Sequence, residues 1–503
     1  MTTTTTDITN EQWIAFLENN HIVETQEEAL KRRRVINLLE KILPNFVESV
    51  LMDNPDNKFN PPTCHLAPFG SYALGGYTRS SDIDCVLLCP WSIRRQDFFQ
   101  YFPRHLKKMA TVLDVELVRR ATVPIIKCVI DNISVDISFV RLRLPTIVKD
   151  NLDLLDDNLL EGIDPTCVAS MDGPRVCQFI QSHIKPEHRL LFNSCLQIIK
   201  HWASQRQIYN KPLGYLNGST WTLLLLKIYM THRQAPNLDI SQLLIRFYDT
   251  WADWPWPTPV LFTDKIPGRN QKLEYKMLKE FEEAVMPIVS PCYPVSNAAP
   301  YVTKSTKTIM TREFERASII LNTQVSPLKK LNKFFNAVNY FKRYHHFLTI
   351  TTSCTTANNH EHWIRRMAHN IPVFIGLLEK SRFIRLMQPA SKEITSIYNY
   401  RTHSEKEALR NNYTMEEVKS LQNTGIFTPG TLYLTYYFIG IEVEEGCKCV
   451  DLSDIVTAFL DVLKSKKQKN EDVHWHIQHM TKRRVAAILG VPTDERTNNT
   501  SKE

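Results

Sequence analysis

No stretch of this 503-residue sequence is apolar for long. Its longest hydrophobic block, "WTLLLLKIYM" at Trp221–Met230, falls well short of the roughly 20 residues that cross a bilayer. A membrane span is therefore not expected. The opening "MTTTTTDITNEQW" carries neither a positive cluster nor an apolar core, so no secretory leader is expected. The CxxC spacing is also missing. Eleven cysteines are scattered singly apart from Cys85/Cys89 and Cys447/Cys449, and neither pair has the spacing of a zinc or redox site. An odd, dispersed set argues against a disulfide scaffold and for a reduced, intracellular chain. "GYLNGST" has no lysine before Ser219, which excludes a Walker-type phosphate loop, and "HEHW" (His360–Trp363) lacks the second histidine of a zinc protease. No internal repeat is found.

What remains is an ordinary globular composition, long enough for two to four domains. A net charge of +8 permits a nucleic-acid partner without requiring one. Residues 1–54 have the three- and four-residue apolar spacing of helices, with Thr25 and Glu28 as a capping box and "KRRR" (Lys31–Arg34) read as a solvent face. Residues 55–150 change to strand periodicity. "VPIIKCVIDNISVDISFV" reads as a hairpin turning at Asp131-Asn132, with Val135, Ile137 and Phe139 alternating against Ser134, Asp136 and Ser138. Residues 151–320 are helical, with Pro-rich connectors at "DWPWPTPVLF" and "MPIVSPCYPVSNAAP". Residues 321–490 alternate strands ("HHFLTITTSC", "GTLYLTYYFIGIEV") with helices, and 491–503 form a polar tail expected to be disordered.

The most informative stretch is "FGSYALGGYTRSSDIDCVLL" (Phe69–Leu88). On a strand, residues i and i+2 share a face, so Asp82 and Asp84 stand side by side after a Gly/Ser turn. Like charges so close raise one another's pKa unless a cation lies between them. Asp136, on the polar face of a neighbouring strand, is a third candidate. Three converging carboxylates would hold two divalent cations about 3.5–4 Å apart, the arrangement for in-line attack of a hydroxyl on a nucleoside triphosphate. Gly70 would let backbone approach a phosphate, and Ser71 would offer it a hydroxyl.

"GSY…SDIDC" with the later "VDI" resembles the active site of the nucleotidyltransferases related to DNA polymerase β. Further blocks, "NLDLLDDNLL", "IIKHWASQRQIYNKPLGYLNGSTW", "WADWPWPTPVLF", "MPIVSPCYPVSNAAPYVTKSTKTIMTREF" and "FFNAVNYFKRYHHFLTI", follow in the order found in eukaryotic nuclear poly(A) polymerases. The resemblance runs over about residues 11–490. It implies an α+β multidomain fold: a polymerase β-like mixed-sheet domain, a helical middle domain and a C-terminal domain similar to an RNA-recognition fold. It also implies AMP transfer from ATP to an RNA 3′ end with two Mg²⁺ or Mn²⁺ ions held by Asp82, Asp84 and Asp136. Phe69, Gly70, Ser71, Thr78 and Ile83 would lie on the triphosphate side, while Lys200, Tyr209, Gly218 and Ser219 would contact the nucleotide. The implied setting is the nucleus, with some cytoplasmic presence allowed. There the chain would act as a monomer within a larger complex of cleavage and polyadenylation factors.

Three positions depart from the family pattern. Asp172 stands where the family has Asn, Asn217-Gly218-Ser219 replaces Gly-Gly-Val, and Ser204 replaces a second lysine. An amide donates a hydrogen bond to a base and a carboxylate does not, so Asp172 bears on base reading. Among weaker signals, "HWHIQH" (His474–His479) is expected in an amphipathic helix, and His360 is expected at the surface. The runs "KSKKQK" (Lys464–Lys469) and "KRR" (Lys482–Arg484) are read as solvated faces or phosphate contacts. The alternatives are a uridylyl or mixed-specificity terminal transferase, a double-stranded-RNA sensor making oligoadenylates, and a catalytically silent RNA-binding scaffold.

Overall fold

The structure, a computed structural model, describes residues 7–53, 62–264, 275, 278–421, 426–447, 450–469 and 471–490. The tail expected at 491–503 and Cys449 lie outside the described residues. The chain divides into two compact units: Met1–Trp202 with Asn217–Pro300 and Phe314–Phe334, and Ala203–Leu216 with Tyr301–Glu313 and Phe335–Glu503.

In the first unit, α1 (Asn10–Asn19) and α2 (Gln26–Met52) both begin in capping boxes, Thr9 with Gln12 and Thr25 with Glu28. The second was legible in the sequence; the first follows the same rule with glutamine as its reciprocal partner. Next come β1 (His65–Phe69), α3 (Gly70–Leu74), β2 (Ile83–Cys89), α4 (Arg95–Lys107), β3 (Val112–Val118), β4 (Ile125–Ile130) and β5 (Ile133–Arg141). The strands form one mixed sheet in the order β1-β2-β5-β4-β3. The hairpin turn falls at Asp131-Asn132 as expected, both residues having positive φ (50° and 63°), the conformation of a tight two-residue turn. Ile83, Cys85 and Leu87 of β2 meet Val35, Leu39 and Phe46 of α2 and Phe98 and Phe102 of α4 on one face. Val86 and Leu88 meet Cys167 and Met171 of α5 (Pro165–His183) on the other. β2 is thus apolar on both sides, as a central strand between helix layers must be.

The rest of the unit is α6 (Arg189–Gln205, most of it here), α7 (Gly218–His232), α8 (Ile240–Asp253), α9 (Lys279–Glu282), the end of α10 (Lys304–Asn322) and α11 (Pro327–Phe334). Their core is aromatic. The Trp202 ring lies 4.8 Å from Tyr248, 5.9 Å from Phe314 and 6.0 Å from Trp221. "MPIVSPCYPVSNAAP" is extended as expected, with bridges Val260–Ile288 and Val289–Asn297.

The second unit contains α12 (Tyr340–Arg343), β6 (His346–Cys354), α13 (Ala357–Leu378), β7 (Ile384–Pro389), β8 (Ile394–Thr402), α14 (His403–Arg410), α15 (Met415–Ser420), β9 (Phe427–Val443), α16 (Ser453–Lys466), β10 (Val473–Thr481) and α17 (Lys482–Leu489). The sheet order β10-β6-β9-β7, with β8 also paired to β9, is that of a split βαβ fold. α13 and α16 cover one face through Trp363, Phe374, Phe459 and Leu463. The opposite face holds Thr349, Thr351 and Ser353, each at most 1% exposed, beneath α14 and α17.

Three expectations are corrected here. "HWHIQH" belongs to strand β10, not a helix; its alternation of apolar Val473, Trp475 and Ile477 with polar neighbours is a two-residue period. His360 is buried, with its Nε2 2.7 Å from the Thr435 hydroxyl. Arg32 of the "KRRR" run is 2% exposed and bound to Glu24 at 2.6 Å. The lysine run is a solvated face as expected, its lysines all exposed, with Lys466 also donating to Asn370 and Lys467 to the Val473 carbonyl.

Candidate active site

Sheet register does what sequence spacing could not. Asp84 of β2 pairs with Asp136 of parallel β5, Phe69 of β1 pairs with Asp84, and Lys127 of β4 pairs with Asp136. One row across the sheet therefore reads Phe69, Asp84, Asp136, Lys127, on the face that α5 covers further along. Asp82 sits just before β2. The Asp84 carboxyl is pushed up to about 7 by burial first, then by Asp82 and Asp136, against the pull of Lys200 and Lys127. Burial also raises the Asp136 carboxyl, although Lys127 opposes it from 3.3 Å. A half-buried, mutually repelling acid cluster has no packing rationale and makes this the candidate functional site.

The turn before β2 is built around that cluster. Gly70 has φ +66°, and a Cβ there would lie 2.7 Å from Asp84 Oδ2. Its missing side chain makes room for the carboxylate, a nearer reason than the phosphate approach read from the sequence. Ser71 caps the far end of α3, its carbonyl accepting from Gly76 N–H at 3.1 Å. Thr78 N–H donates to Ser81 Oγ at 3.0 Å, closing the turn that delivers Asp82.

α6 holds this turn along one face. Asn193 and Leu196 fill the space where Gly75 and Gly76 lack side chains. Gln197 donates to the Tyr77 carbonyl at 2.8 Å, and Lys200 donates to the Gly76 carbonyl at 3.0 Å. These four positions have the i, i+3, i+4, i+7 spacing of one helix face. Asn193 and Gln197 carry no motif, and only that spacing relative to Lys200 could have flagged them. Arg32 braces the turn from α2, donating to the Arg79 carbonyl at 3.2 Å and lying 5.2 Å over the Tyr77 ring. Burial lowers the Lys200 ammonium to about 8, with Asp82 and Asp84 acting in the opposite direction.

Other candidates are placed differently. The Ile83 side chain is fully buried in the sheet core, so only its backbone can face a ligand. The Phe69 ring packs against α5, where a Cβ on Gly173 would come within 2.6 Å of it. Gly218 and Ser219 open α7 behind the Asn217 cap, which accepts from Thr220 N–H at 3.0 Å. Asp172, on α5, accepts from the Ser290 hydroxyl at 3.5 Å. Tyr209 follows α6, in the second unit.

Carboxylate oxygens are the hard ligands that Mg²⁺ and Mn²⁺ take, and Asp84 has Asp82 and Asp136 close enough to raise its carboxyl further than burial alone. Among the described residues no three His, Cys, Asp or Glu side chains are already gathered into a grip. Asp136 is drawn toward Lys127 instead. The donor set fits a divalent ion, and only one oxygen of Asp136, Oδ2, faces Lys127.

Known proteins resemble this chain along most of its length. Residues 2–184 match the poly(A) polymerase nucleotidyltransferase domain, 191–337 the poly(A) polymerase central domain, and 339–499 the "Poly(A) polymerase predicted RNA binding domain". Poly(A) polymerase pla1 of Schizosaccharomyces pombe is 31% identical over 404 residues, covering 80% of this chain and 70% of the relative. Poly(A) polymerase PAPalpha of Candida albicans is 26% identical over 492 residues, covering 93% and 86%. A crystal structure of the Cid1 poly(U) polymerase with Mg 3′-dATP aligns at a TM-score of 0.44 and 17% identity, over 64% of this chain and 98% of that one. The chain belongs to the poly(A) polymerase family.

Proposed function

We propose that this member of the poly(A) polymerase family adds AMP units from ATP to the 3′ end of RNA, without a template, and releases pyrophosphate. The observation that carries the reading is the pairing of Asp84 with Asp136 across β2 and β5, with Asp82 beside them. In the step itself, the RNA 3′ oxygen bonds to the α-phosphorus of ATP as the bond to the α–β bridging oxygen breaks. Pyrophosphate leaves with that electron pair, and the hydroxyl proton passes to solvent. Asp82, Asp84 and Asp136 would hold two divalent cations, Mg²⁺ or Mn²⁺, which when bound acidify the hydroxyl and neutralise the triphosphate.

The chain's own groups do the positioning. Lys200, anchored on the Gly76 carbonyl, offers a point charge to phosphate oxygens. Ser71 and Thr78 offer hydroxyls, and Gly70 and Ile83 offer backbone. Phe69 fixes the height of the row against α5. Tyr209, Gly218 and Ser219 are assigned to the nucleoside by family resemblance. Work in the nucleus beside cleavage and polyadenylation factors belongs to the same proposal, and the distribution of a tagged chain tests it. No described helix is long and apolar enough to cross a membrane.

The test is purified protein, an RNA primer and each of the four ribonucleotides in turn, with Mg²⁺ or Mn²⁺. Ladder extension with ATP and poor use of UTP and CTP is the expected result. Equal use of UTP and ATP would move the chain to the uridylyltransferase reading.

A further inference from the structure

At the end of β5 remote from Asp136, the sheet carries a surface that the nucleotide site does not use. Arg141 lies five residues beyond Asp136 on β5, roughly 16 Å along the strand and, the separation being odd, on the sheet's other face at its far end. A cavity of about 780 Å³ there is walled by Arg94, Arg95, Arg119 and Arg141. A second, of about 490 Å³, shares Arg141 and adds Arg143 and Trp91. The single carboxylate lining either cavity, Asp164, is already bonded to Arg95 at 2.7 Å. Among the described residues, Arg94, Arg141 and Arg143 have no carboxylate within ion-pair distance. Gly162, at φ +68°, leaves the space that the Arg143 guanidinium occupies; a Cβ there would lie 2.3 Å from Nη1. Trp91 is 59% exposed.

We propose that these two cavities, which meet at Arg141, form a second binding track for single-stranded RNA, taking the tract upstream of the 3′ end held at Asp84 and Asp136. This rests on the reading of RNA as the substrate. Guanidiniums recognise phosphate oxygens in bidentate fashion and are the natural lining of a polyanion path. An acidic peptide would also meet the charge, but it needs apolar pockets for anchoring side chains. The groove's phenylalanines, Phe99 and Phe139, are 6% and 2% exposed and lie beneath it. The accessible aromatic surface is the indole of Trp91, a flat platform on which a base stacks whatever its sequence. Charge along the walls with an aromatic at one end is the layout of sequence-tolerant single-strand binding.

The test is fluorescence anisotropy on the full chain with 3′-deoxy-ended oligoadenylates of two lengths, one too short to reach from Asp136 to Arg141 and one several times longer. The variant Arg94→Gln/Arg141→Gln/Arg143→Gln should weaken binding of the long oligomer about tenfold or more. It should also lower the slope of log K against log salt by about 2, since each phosphate contact on a single strand contributes about 0.7. Binding of the short oligomer, and extension of its counterpart with a 3′-hydroxyl, stay at wild-type values. Trp91→Ala alone should cost the long oligomer about fivefold or more. Unchanged long-oligomer affinity and salt slope in the triple variant would overturn the proposal, as would equal losses for both lengths. So would an oligoglutamate peptide that binds wild type but not the variant while RNA binding stays the same. Because binding is read directly, failure to add AMP would sink the catalytic reading and leave this one to stand or fall separately.

Discussion

The two sheets of this protein solve the same packing problem and treat their polar residues in opposite ways. Each is covered by helices on both faces, α2 and α4 against α5 in the first unit, α13 and α16 against α14 and α17 in the second. In the second unit one set of buried polar residues is tied into structure. Thr351 donates to Asn412 at 2.7 Å, the Asn412 carbonyl accepts from Arg484, and Arg484 makes a two-pronged ion pair with Glu417 at 2.7 and 2.8 Å. This network fastens α14, α15 and α17 over the face on which an RNA-recognition fold would stack bases. In the first unit Asp84 and Asp136 are left as neighbours with their charges in conflict. Partnered polar groups mark architecture, and groups held in conflict mark chemistry.

Breaking the conflict should cost activity and no stability. Asp84→Ala or Asp136→Ala should each lower primer extension by on the order of a thousandfold, since ligands of a catalytic ion supply several kcal/mol of transition-state charge stabilisation. The melting temperature of the metal-free protein should hold or rise in Asp84→Ala, because a half-buried repelling charge is gone, and hold in Asp136→Ala, which also gives up the half-exposed Lys127 pair. Near-normal extension by either variant would remove that carboxylate from the site.

The converse holds in the second unit. Asn412 is fully buried at φ +61°. Asn412→Ala strands the Thr351 hydroxyl and puts a Cβ residue without a helpful side chain in the left-handed region, for a loss of about 2 kcal/mol. Calorimetry should show that loss with kcat at saturating primer unchanged; an unaltered melt would mean the network holds nothing.

A smaller effect is expected where the first unit also uses a partnered group. Lys200→Ala removes a charge anchored on Gly76 and should raise KM for ATP about tenfold with little change in kcat, because phosphate contacts are made in ground and transition states alike. Gln197→Ala tests the positioning role of α6. It leaves the Tyr77 carbonyl without its donor and should lower kcat with KM nearly intact; a KM effect alone would argue for direct contact with ATP.

The smallest effect is a pH dependence in the second unit. The Arg484 guanidinium first, then the Thr414 backbone N–H, hold the Glu417 carboxyl down at about 2 from its usual 4.5. A depressed folded-state pKa stabilises above the unfolded value and loses that contribution as pH falls through the folded one. The melting temperature should therefore drop between about pH 4.5 and about pH 2 more in wild type than in Glu417→Gln. Glu417 is 43% exposed, so the difference is modest. Parallel curves would show that the pair contributes nothing.

Much of this was legible in the residues alone. Thr25 and Glu28 announced a helix start, Asp131-Asn132 a hairpin, and the Phe69–Leu88 stretch with Asp136 a meeting of carboxylates from two strands. These are local signals, written in spacing, turn chemistry and charge. The misreadings share one cause. Arg32 and His360 are polar, and polarity alone suggests exposure, whereas their burial depends on Glu24 and Thr435; the β10 histidines were read into a helix because their strand partner β6 lies far off in the sequence.

By itself, then, the sequence determined element types, the family and the residues able to carry charge, because periodicity and side-chain chemistry are properties of neighbours along the chain. Only the tertiary structure decided that Asp84 meets Asp136, that Lys127 competes for Asp136, that α6 grips the Gly75–Tyr77 turn, and that the second sheet's polar face is closed. Each of these depends on strand register or on helices packed across long separations. One residue of slip turns every side chain to the other face, so the same letters in another register would hold no site.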